Sequence, residues 1–169
     1  MVLLRKKTER KIQILKKFIS KIKSISNAVY DELGAGFEER TIQTAIGIEF
    51  KNNNIEFLRE VSIEVFYKNH PLGIFELDFL IYPCMDLKKP IIIEIKVSQK
   101  IGNENRGQLK NYLRSSPLNN HKILKQVDKG ILINFKKIEA YEDGINVTPD
   151  DKISLELWEL KNNKLKLIK

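Results

Sequence analysis

Apolar residues recur at steps of three and four near the start of the chain. They are Ile12, Leu15, Phe18, Ile19, Ile22, Ile25, Val29 and Leu33. This spacing places them along one side of an α-helix, so residues 10–33 predict one amphipathic helix with lysines on its outer face. The helix is expected to end at the glycines of Gly34-Ala35-Gly36. A second helix is predicted over residues 37–51, with inward positions at Ile42, Ala45, Ile46 and either Ile48 or Phe50.

The pattern then changes to a period of two, which is typical of β-strands. Val61, Ile63, Val65 and Tyr67 alternate with polar residues, KNHPLG is expected to turn the chain, and residues 74–82 return. This region therefore predicts a hairpin. Residues 91–97 are apolar enough to form a central strand, and residues 130–135 predict a second buried strand.

The remaining elements complete a layered domain. Residues 104–114 fit a short helix with Leu109, Tyr112 and Leu113 inward, and residues 152–160 alternate as a late edge strand or hairpin partner would. The order of helix, helix, strands, helix and strand predicts an α/β domain, with helices packed on a mixed sheet.

Composition places the chain in a broad class. With 169 residues and 42% hydrophobic residues it has enough apolar material for one domain with a proper core. A single cysteine, Cys84, excludes an internal disulfide and a thiolate zinc site, so an intracellular, cytoplasmic and reducing setting is expected. No apolar run approaches the roughly 20 residues that cross a bilayer, so no membrane partner is expected.

The net charge of +8 is unevenly distributed. Residues 1–23 carry nine Lys or Arg against one Glu, and residues 88–137 carry twelve against three acids. We therefore divide the chain into a basic start of the N-terminal helix (1–23) and a single domain (24–169). Two basic segments suggest a face for a polyanion, since phosphate contacts supply most non-specific nucleic-acid affinity. The alternative is a lysine-rich surface that only contacts solvent.

Two charged residues interrupt the most apolar strand. In Ile91–Val97 the isoleucine run is broken at Glu94 and again at Lys96, and period two puts both on one face. If the preceding strand is an antiparallel neighbour, Asp78 lies beside Glu94. Two carboxylates and an amine buried together are costly unless a cation is held there, and a hard divalent ion is the usual solution.

These residues resemble a known signature. The segments ELD and IEIK are similar to the D-(E/D)-x-K motif of the PD-(D/E)xK nuclease superfamily, with Asp78, Glu94 and Lys96 at the matching positions. The resemblance implies a restriction-endonuclease-like core, with a central mixed sheet flanked by helices. It spans residues 24–135.

Two further segments extend the resemblance. QLKNY, from Gln108 to Tyr112, resembles the Q-x-x-x-Y motif of nuclease domains like that of RecB. Upstream, ELGAGFEERTI is similar to the GxxExxY family of the same superfamily. Gly36 and Glu39 stand at the named Gly and Glu, whereas Ile42 replaces the Tyr.

The resemblance implies a role for each matched residue. Asp78, Glu94 and the Ile95 carbonyl would bind Mg²⁺ or Mn²⁺, and Glu39 would complete the shell directly or through water. Lys96 would hold or help deprotonate the attacking water and stabilise charge on the phosphate, and Gln108 and Tyr112 would orient the substrate backbone or Lys96. The expected product carries a 5′-phosphate. The structural alternatives are a turn acid at Asp78, an ion pair between Glu94 and Lys96, a first-turn helix acid at Glu39, a solvated Gln108 and a core Tyr112.

The leading hypothesis is a metal-dependent nuclease acting on nucleic acid, with DNA as the expected substrate. The backbone would be gripped by basic residues of both charged segments, namely Lys16, Lys17, Lys100, Arg106, Lys110 and Arg114. The alternative is an inactive nuclease scaffold that binds nucleic acid or a protein. A homodimer formed through the N-terminal helix is compatible with either.

Overall fold

The structure, a computed structural model, describes residues 2–137 and 152–168, without the side chains of residues 2–4, 7 and 8. Its helices are α1 (Val2–Leu33), α2 (Glu39–Asn52) and α3 (Asn103–Ser115), with short 3₁₀ turns at Ser116–Leu118 and Leu124–Gln126. Its strands are β1 (Phe57–Tyr67), β2 (His70–Ile81), β3 (Ile91–Ser98), β4 (Lys129–Lys136), β5 (Ile153–Lys161) and β6 (Lys164–Leu167).

The six strands form one sheet in chain order. All neighbours are antiparallel except β3 and β4, which are parallel and are connected through α3. A parallel pair needs such a crossover, because the chain must return to the starting edge before the second strand begins. The predicted α/β fold with a central mixed sheet flanked by helices is confirmed.

Helices cover both faces of the sheet. The core under α1 and α2, called here the helix-pair core, takes Ile91, Ile93 and Ile95 of β3, while the core under α3, called here the α3 core, takes Ile92. β3 is therefore apolar on both faces because both are covered. By the same alternation Glu94 faces the α3 side, between Ile92 and Lys96.

The helices agree with the sequence pattern except at the start of α1. The eight apolar positions predicted to face inward include Phe18, Ile19 and Ile22, which are fully buried. The same spacing also predicts that Ile12 faces inward. This prediction is wrong, because Ile12 is 50% exposed. It lies more than a turn before the first buried residue of the helix, so the apolar periodicity continues beyond the buried part of the helix. In α2, Phe50 rather than Ile48 is the buried alternative.

The turns differ slightly from the prediction. The expected turn over KNHPLG is only two residues long, because Tyr67 already pairs with His70. Lys68 and Asn69 have φ angles of 47° and 65°, as the tight turn that matches strand twist requires. The late strand β5 is paired on both sides and β6 forms the edge, so the hairpin-partner alternative is the correct one.

The remaining sequence expectations concern the chain as a whole. In the described part no helix is long and apolar enough to cross a membrane. α1 passes residue 23 without a break, and the division of the chain there stays a prediction.

Candidate active site

The ladder between β2 and β3 ends where the two acids lie. It comprises three pairs, from Ile81↔Ile91 to Phe79↔Ile93, and the next position would place Asp78 opposite Glu94. Instead, the Asp78 N–H donates to Glu94 Oε1 at 3.2 Å, and the Ile95 N–H donates to Asp78 Oδ2 at 2.6 Å. The two carboxylates thus take the place of the ladder, and each is held by the backbone of the opposite strand.

The hairpin of β1 and β2 is irregular at the same level. On β2, Phe79 packs into the helix-pair core but Leu77 packs into the α3 core, although strict alternation would put both on one face. Glu60, between the pairs Arg59↔Phe79 and Val61↔Leu77, has a φ of 53°, which is unusual outside glycine. Asp78 therefore lies where the strand changes the face that it presents.

Burial leaves the two acids electrostatically unbalanced. Glu94 is 1% exposed, and its burial, together with the charge of Asp78, raises the pKa of Glu94 to about 8. Burial also raises the pKa of Asp78, although the hydrogen bond from the Ile95 N–H opposes it. Two adjacent carboxylates in a poorly solvated site do not both ionise readily. The pair is therefore balanced by a bound proton or by a cation.

Lys96 contacts the first residue of α2. Its Nζ donates to Glu39 Oε1 at 3.2 Å, and only 16% of the Lys96 side chain is exposed. Burial lowers the pKa of Lys96, but the charges of Glu39, Asp78 and Glu94 outweigh it and raise the pKa above its ordinary value. Lys96 is therefore a cation at neutral pH. Glu39, not its exposed neighbour Glu38, is the acid that reaches the site.

Sequence analysis does not identify Gln43, which lies one helical turn after Glu39. Its amide is close enough to Asp78 to lower the pKa of that carboxyl, against the larger effect of burial. The spacing of four residues on α2 is the signal that finds it, since residues at i and i+4 share a face of a helix.

α3 brings a hydroxyl close to the acids. The Gln108 Nε2 donates to the Tyr112 Oη at 2.7 Å, and the Tyr112 side chain is buried. Burial raises the pKa of Tyr112, the Gln108 hydrogen bond lowers it, and the charges of Glu94 and Asp78 raise it further. Tyr112 therefore lies within electrostatic reach of the acid pair, and its O–H remains able to donate because its oxygen is the acceptor for Gln108.

Asn134 is a second residue that sequence analysis does not identify. It is 2% exposed on β4 and is the register partner of Lys96. Its Oδ1 accepts from the Ser98 N–H at 3.0 Å and from the Ser98 Oγ at 2.7 Å, while its Nδ2 donates to the Ser98 carbonyl at 2.9 Å. Asn134 therefore fixes the end of β3 two residues beyond Lys96. The available signal was a polar residue inside the apolar run GILINF.

The residues predicted to bind the nucleic-acid backbone do not lie on one face of the sheet. Lys16 and Lys17 are exposed on α1, whose layer is opposite to that of α3, and Lys100 is exposed before α3. On α3, Lys110 is half-buried and Arg114 is exposed, with its Nη2 donating to the Asn163 carbonyl.

Arg106 differs from the other predicted backbone-binding residues. Its Nε donates to Glu156 Oε2 at 2.9 Å, its Nη2 donates to Glu156 Oε1, and its Nη1 donates to Asn103 Oδ1. The hydrogen bonds with Glu156 raise the pKa of Arg106 and lower that of Glu156. The guanidinium is thus engaged within the protein, where it ties α3 to β5.

The donors present fit a divalent cation in their chemistry. Within residues 2–137 and 152–168 no group of three or more His, Cys, Asp or Glu side chains is close enough to hold a metal. Asp78 and Glu94 nevertheless form a buried pair whose charges need compensation, and hard cations prefer carboxylate and carbonyl oxygens. Glu39 forms an ion pair with Lys96 and does not join Asp78 and Glu94 in one cluster.

Comparison with known proteins identifies the superfamily. A family model described as the PD-(D/E)XK nuclease superfamily matches residues 16–146, which include the acid pair, Lys96 and all of α3. No curated protein matches the chain. A solved structure described as "Crystal structure of SSO0001" is 20% identical over 70% of this chain, with a TM-score of 0.42; this chain spans about half of that protein, 48%. The chain belongs to the PD-(D/E)XK nuclease superfamily.

Proposed function

We propose that this protein is a divalent-metal-dependent nuclease that hydrolyses phosphodiester bonds of DNA. The observation that carries the proposal is the unbalanced acid pair: Glu94 is buried beside Asp78, with Lys96 two residues further along the same strand. Such a pair destabilises the fold unless it serves a ligand. Membership of a nuclease superfamily supports phosphodiester hydrolysis as the chemistry.

Asp78, Glu94 and the carbonyl of Ile95 would hold Mg²⁺ or Mn²⁺. The ion, when bound, supplies charge that polarises a phosphate oxygen and lowers the pKa of a water molecule. The protein prepares the two carboxylates by hydrogen-bonding each to the opposite strand. These bonds fix the positions of the oxygens before any ligand arrives.

Lys96 is assigned two roles, which are to hold the attacking water and to stabilise the charge of the transition state. As an ammonium group it hydrogen-bonds the attacking water and stabilises negative charge that grows on the phosphate. The water oxygen forms a bond to phosphorus, the bond to the 3′ oxygen breaks, and that oxygen takes up the proton that the water loses, which leaves a 3′-hydroxyl and a 5′-phosphate. Glu39 holds Lys96 at 3.2 Å and so sets the direction of the amine. A part for Glu39 in binding the metal stays a prediction.

Gln108 and Tyr112 are assigned the role of binding the substrate. Gln108 fixes the Tyr112 hydroxyl by donating to its oxygen, so the hydroxyl hydrogen is free to donate to a phosphate oxygen. Both residues come from one helical turn of α3. We infer a relationship with the branch that carries Q-x-x-x-Y and with the GxxExxY family. The contact of Glu39 with Lys96 and the pairing of Gln108 with Tyr112 support this inference.

Lys16, Lys17, Lys100, Lys110 and Arg114 are proposed to bind the DNA backbone through charge. Because α1 and α3 lie on opposite faces of the sheet, DNA would contact these two groups at separate positions. Arg106 is proposed as structural, since its ion pair with Glu156 would have to break before it could bind phosphate.

A second function is favoured by one observation. The described residues contain no cluster of three metal-binding side chains, and Glu39 is engaged by Lys96. A scaffold that binds nucleic acid without cleaving it would show this arrangement. The acid pair argues against it, because binding a polyanion does not require buried carboxylates.

The test is cleavage of a substrate panel by the wild type and by Glu94→Gln. The panel contains plasmid, linear duplex, single-stranded and branched DNA, and RNA, each with Mg²⁺, with Mn²⁺ and with EDTA. Cleavage that EDTA and Glu94→Gln abolish, and that the exposed-acid control Glu38→Gln retains, supports the nuclease. Binding without cleavage in any condition supports the scaffold instead.

A further inference from the structure

One half of the β1 and β2 hairpin lies beyond the sheet. The two strands stay paired from Val61↔Leu77 to Tyr67↔His70, but in the described chain β2 pairs with β3 only from Phe79 to Ile81. The outer half, residues 61–77, is called the hairpin arm here. Its last residue, Leu77, directly precedes Asp78 on β2, so the arm starts next to the acid pair.

The arm is held in place along its outer strand. The Glu64 N–H donates to Asn119 Oδ1 at 2.9 Å, and Asn119 Nδ2 donates back to the Glu64 carbonyl at 2.9 Å. The Phe66 N–H donates to Ser115 Oγ at 3.1 Å. These bonds satisfy the backbone of an edge strand and attach the arm to the end of α3. Its position is therefore fixed without help from β3.

Large apolar side chains on the arm face solvent. Phe75 is 48% exposed, Ile74 is 72% exposed, and Leu72 and Tyr67 are exposed as well. The arm is not basic, since Glu64 and Glu76 outnumber Lys68. Its surface is therefore unsuited to phosphate and suited to an apolar ligand surface. In nucleic acid that surface is the face of a base.

Of these side chains, Phe75 is the one that contacts a site residue, because its neighbour Ile74 points to the opposite face of the strand. Its ring lies against that of Tyr112, with centroids 6.4 Å apart and planes at 54°. Tyr112 in turn lies within electrostatic reach of Glu94 and Asp78. Exposed aromatic surface thus begins one side chain away from the acid pair.

We propose that Phe75 is a stacking platform for an unpaired base next to the phosphodiester that is cleaved. A base inside a duplex has both faces covered by its neighbours, so it reaches Phe75 only by leaving the helix. An unpaired base offers a free face at no such cost. The substrate class is therefore DNA that is single-stranded at the cleaved position, as in a single strand, a flap or a fork. This inference rests on the proposed function for the site, but the contact is testable without cleavage.

The experiment measures binding in EDTA, where no metal-dependent cleavage occurs. The probes are a 15-nucleotide single strand and the matching blunt duplex, followed by fluorescence anisotropy. The variants are Phe75→Ala, Phe75→Trp, and Ile48→Ala as a control at an exposed apolar residue of α2. We expect Phe75→Ala to weaken single-strand binding by about tenfold, as loss of one stacked base does, and to leave duplex binding unchanged. Phe75→Trp should bind the single strand as tightly as the wild type does, and Ile48→Ala should have no effect.

Several results would overturn the stacking role. Equal losses for single strand and duplex, or no loss in Phe75→Ala, would show that Phe75 does not stack on a base. A change of oligomeric mass in Phe75→Ala, measured by sedimentation, would mean that the arm contacts a second copy. A protein that fails to cleave any substrate but shows the expected Phe75 effect would contradict the nuclease and leave the stacking role standing. Cleavage with equal preference for duplex would contradict the stacking role alone.

Discussion

β3 and β4 are parallel neighbours, and each carries a polar side chain deep inside apolar surroundings. Asn134 on β4 has partners for both its oxygen and its nitrogen, all supplied by Ser98. Glu94 on β3 accepts from the Asp78 backbone, lies beside a second acid and has its pKa raised to about 8 by burial. The hydrogen bonds of the Asn134 amide are all made within the fold, whereas the charge of the Glu94 carboxylate needs a proton or a cation to balance it. A buried polar group that the fold leaves unbalanced is thus the better indicator of function.

The largest expected effect is the loss of cleavage in Glu94→Gln. The amide keeps the shape and the acceptor for the Asp78 N–H but removes the negative charge. In the proposed function a cation bound here would supply several kcal/mol to the transition state, so we expect the rate to fall by about a thousandfold. Initial rates at saturating Mg²⁺ on the best substrate measure it. Wild-type rates in Glu94→Gln would place the chemistry elsewhere, and Glu38→Gln should behave as the wild type.

Lys96→Met should lower the rate by about a hundredfold, because in the proposed function the amine would act in the transition state without binding the cation. Removing its positive charge beside Asp78 and Glu94 should at the same time tighten Mg²⁺ binding, which calorimetry measures. This opposite change in rate and affinity distinguishes an electrostatic role from general damage to the fold. Lys51→Met, at an exposed lysine of α2, is the matched control. Weaker metal binding in Lys96→Met would argue against the assignment.

The stability of the metal-free protein should depend on Glu94 in a defined direction. Its pKa is raised from 4.5 to about 8 on folding, so the native state binds the extra proton. The stabilisation is complete below pH 4.5 and is lost as the pH rises through about 8. We expect the free energy of unfolding in EDTA to fall by about 4 kcal/mol across this range. Asp78, whose pKa is also raised, acts in the same direction.

Urea unfolding at several pH values, with EDTA, tests this slope. Glu94→Gln should flatten most of it and should be more stable than the wild type at pH 7, by about 3 kcal/mol. Lys96 has a raised pKa and stays protonated throughout, so it adds no slope. An identical slope in Glu94→Gln and the wild type would show that Glu94 ionises freely. Mg²⁺ should remove the loss of stability at high pH in the wild type alone.

The charges on β3 could be identified from sequence because each charge breaks an isoleucine run, where burial is costly. Asn134 breaks GILINF in the same way, but its partner Ser98 lies on another strand, and only the register of the sheet brings them together. The short ladder between β2 and β3 could not be predicted from sequence either. It coincides with a left-handed φ at Glu60, and sequence gives no signal for that conformation in a glutamate.

The limits of periodicity also explain the error at Ile12. The apolar stripe of α1 continues toward its N-terminus, but the described side chains before Ile14 stay exposed. Periodicity identifies the face of a helix that is apolar and not the length over which that face is covered.

Asn134→Ala should destabilise the protein by about 2 kcal/mol, because the Ser98 N–H and carbonyl at the end of β3 lose buried partners. Unlike Glu94→Gln, this change should lower stability equally at pH 5 and pH 8. Urea unfolding at both values measures the difference. Cleavage should fall less than in Lys96→Met, since Lys96 itself remains. Wild-type stability in Asn134→Ala would mean that water replaces the amide fully, and the contrast between β3 and β4 would then fail.

The smallest expected effect separates a structural cation from one that binds DNA. Arg106 donates two hydrogen bonds to Glu156, whereas Lys100 is exposed. Lys100→Gln should reduce the slope of log binding constant against log salt by about 0.7–0.9, as loss of one phosphate contact does. Arg106→Gln should leave that slope unchanged and cost about 0.5–1 kcal/mol of stability, because a partly exposed ion pair contributes little. If Arg106→Gln instead changes the salt slope as Lys100→Gln does, the ion pair opens when DNA binds, and Arg106 takes the place on the backbone that its sequence position first suggested.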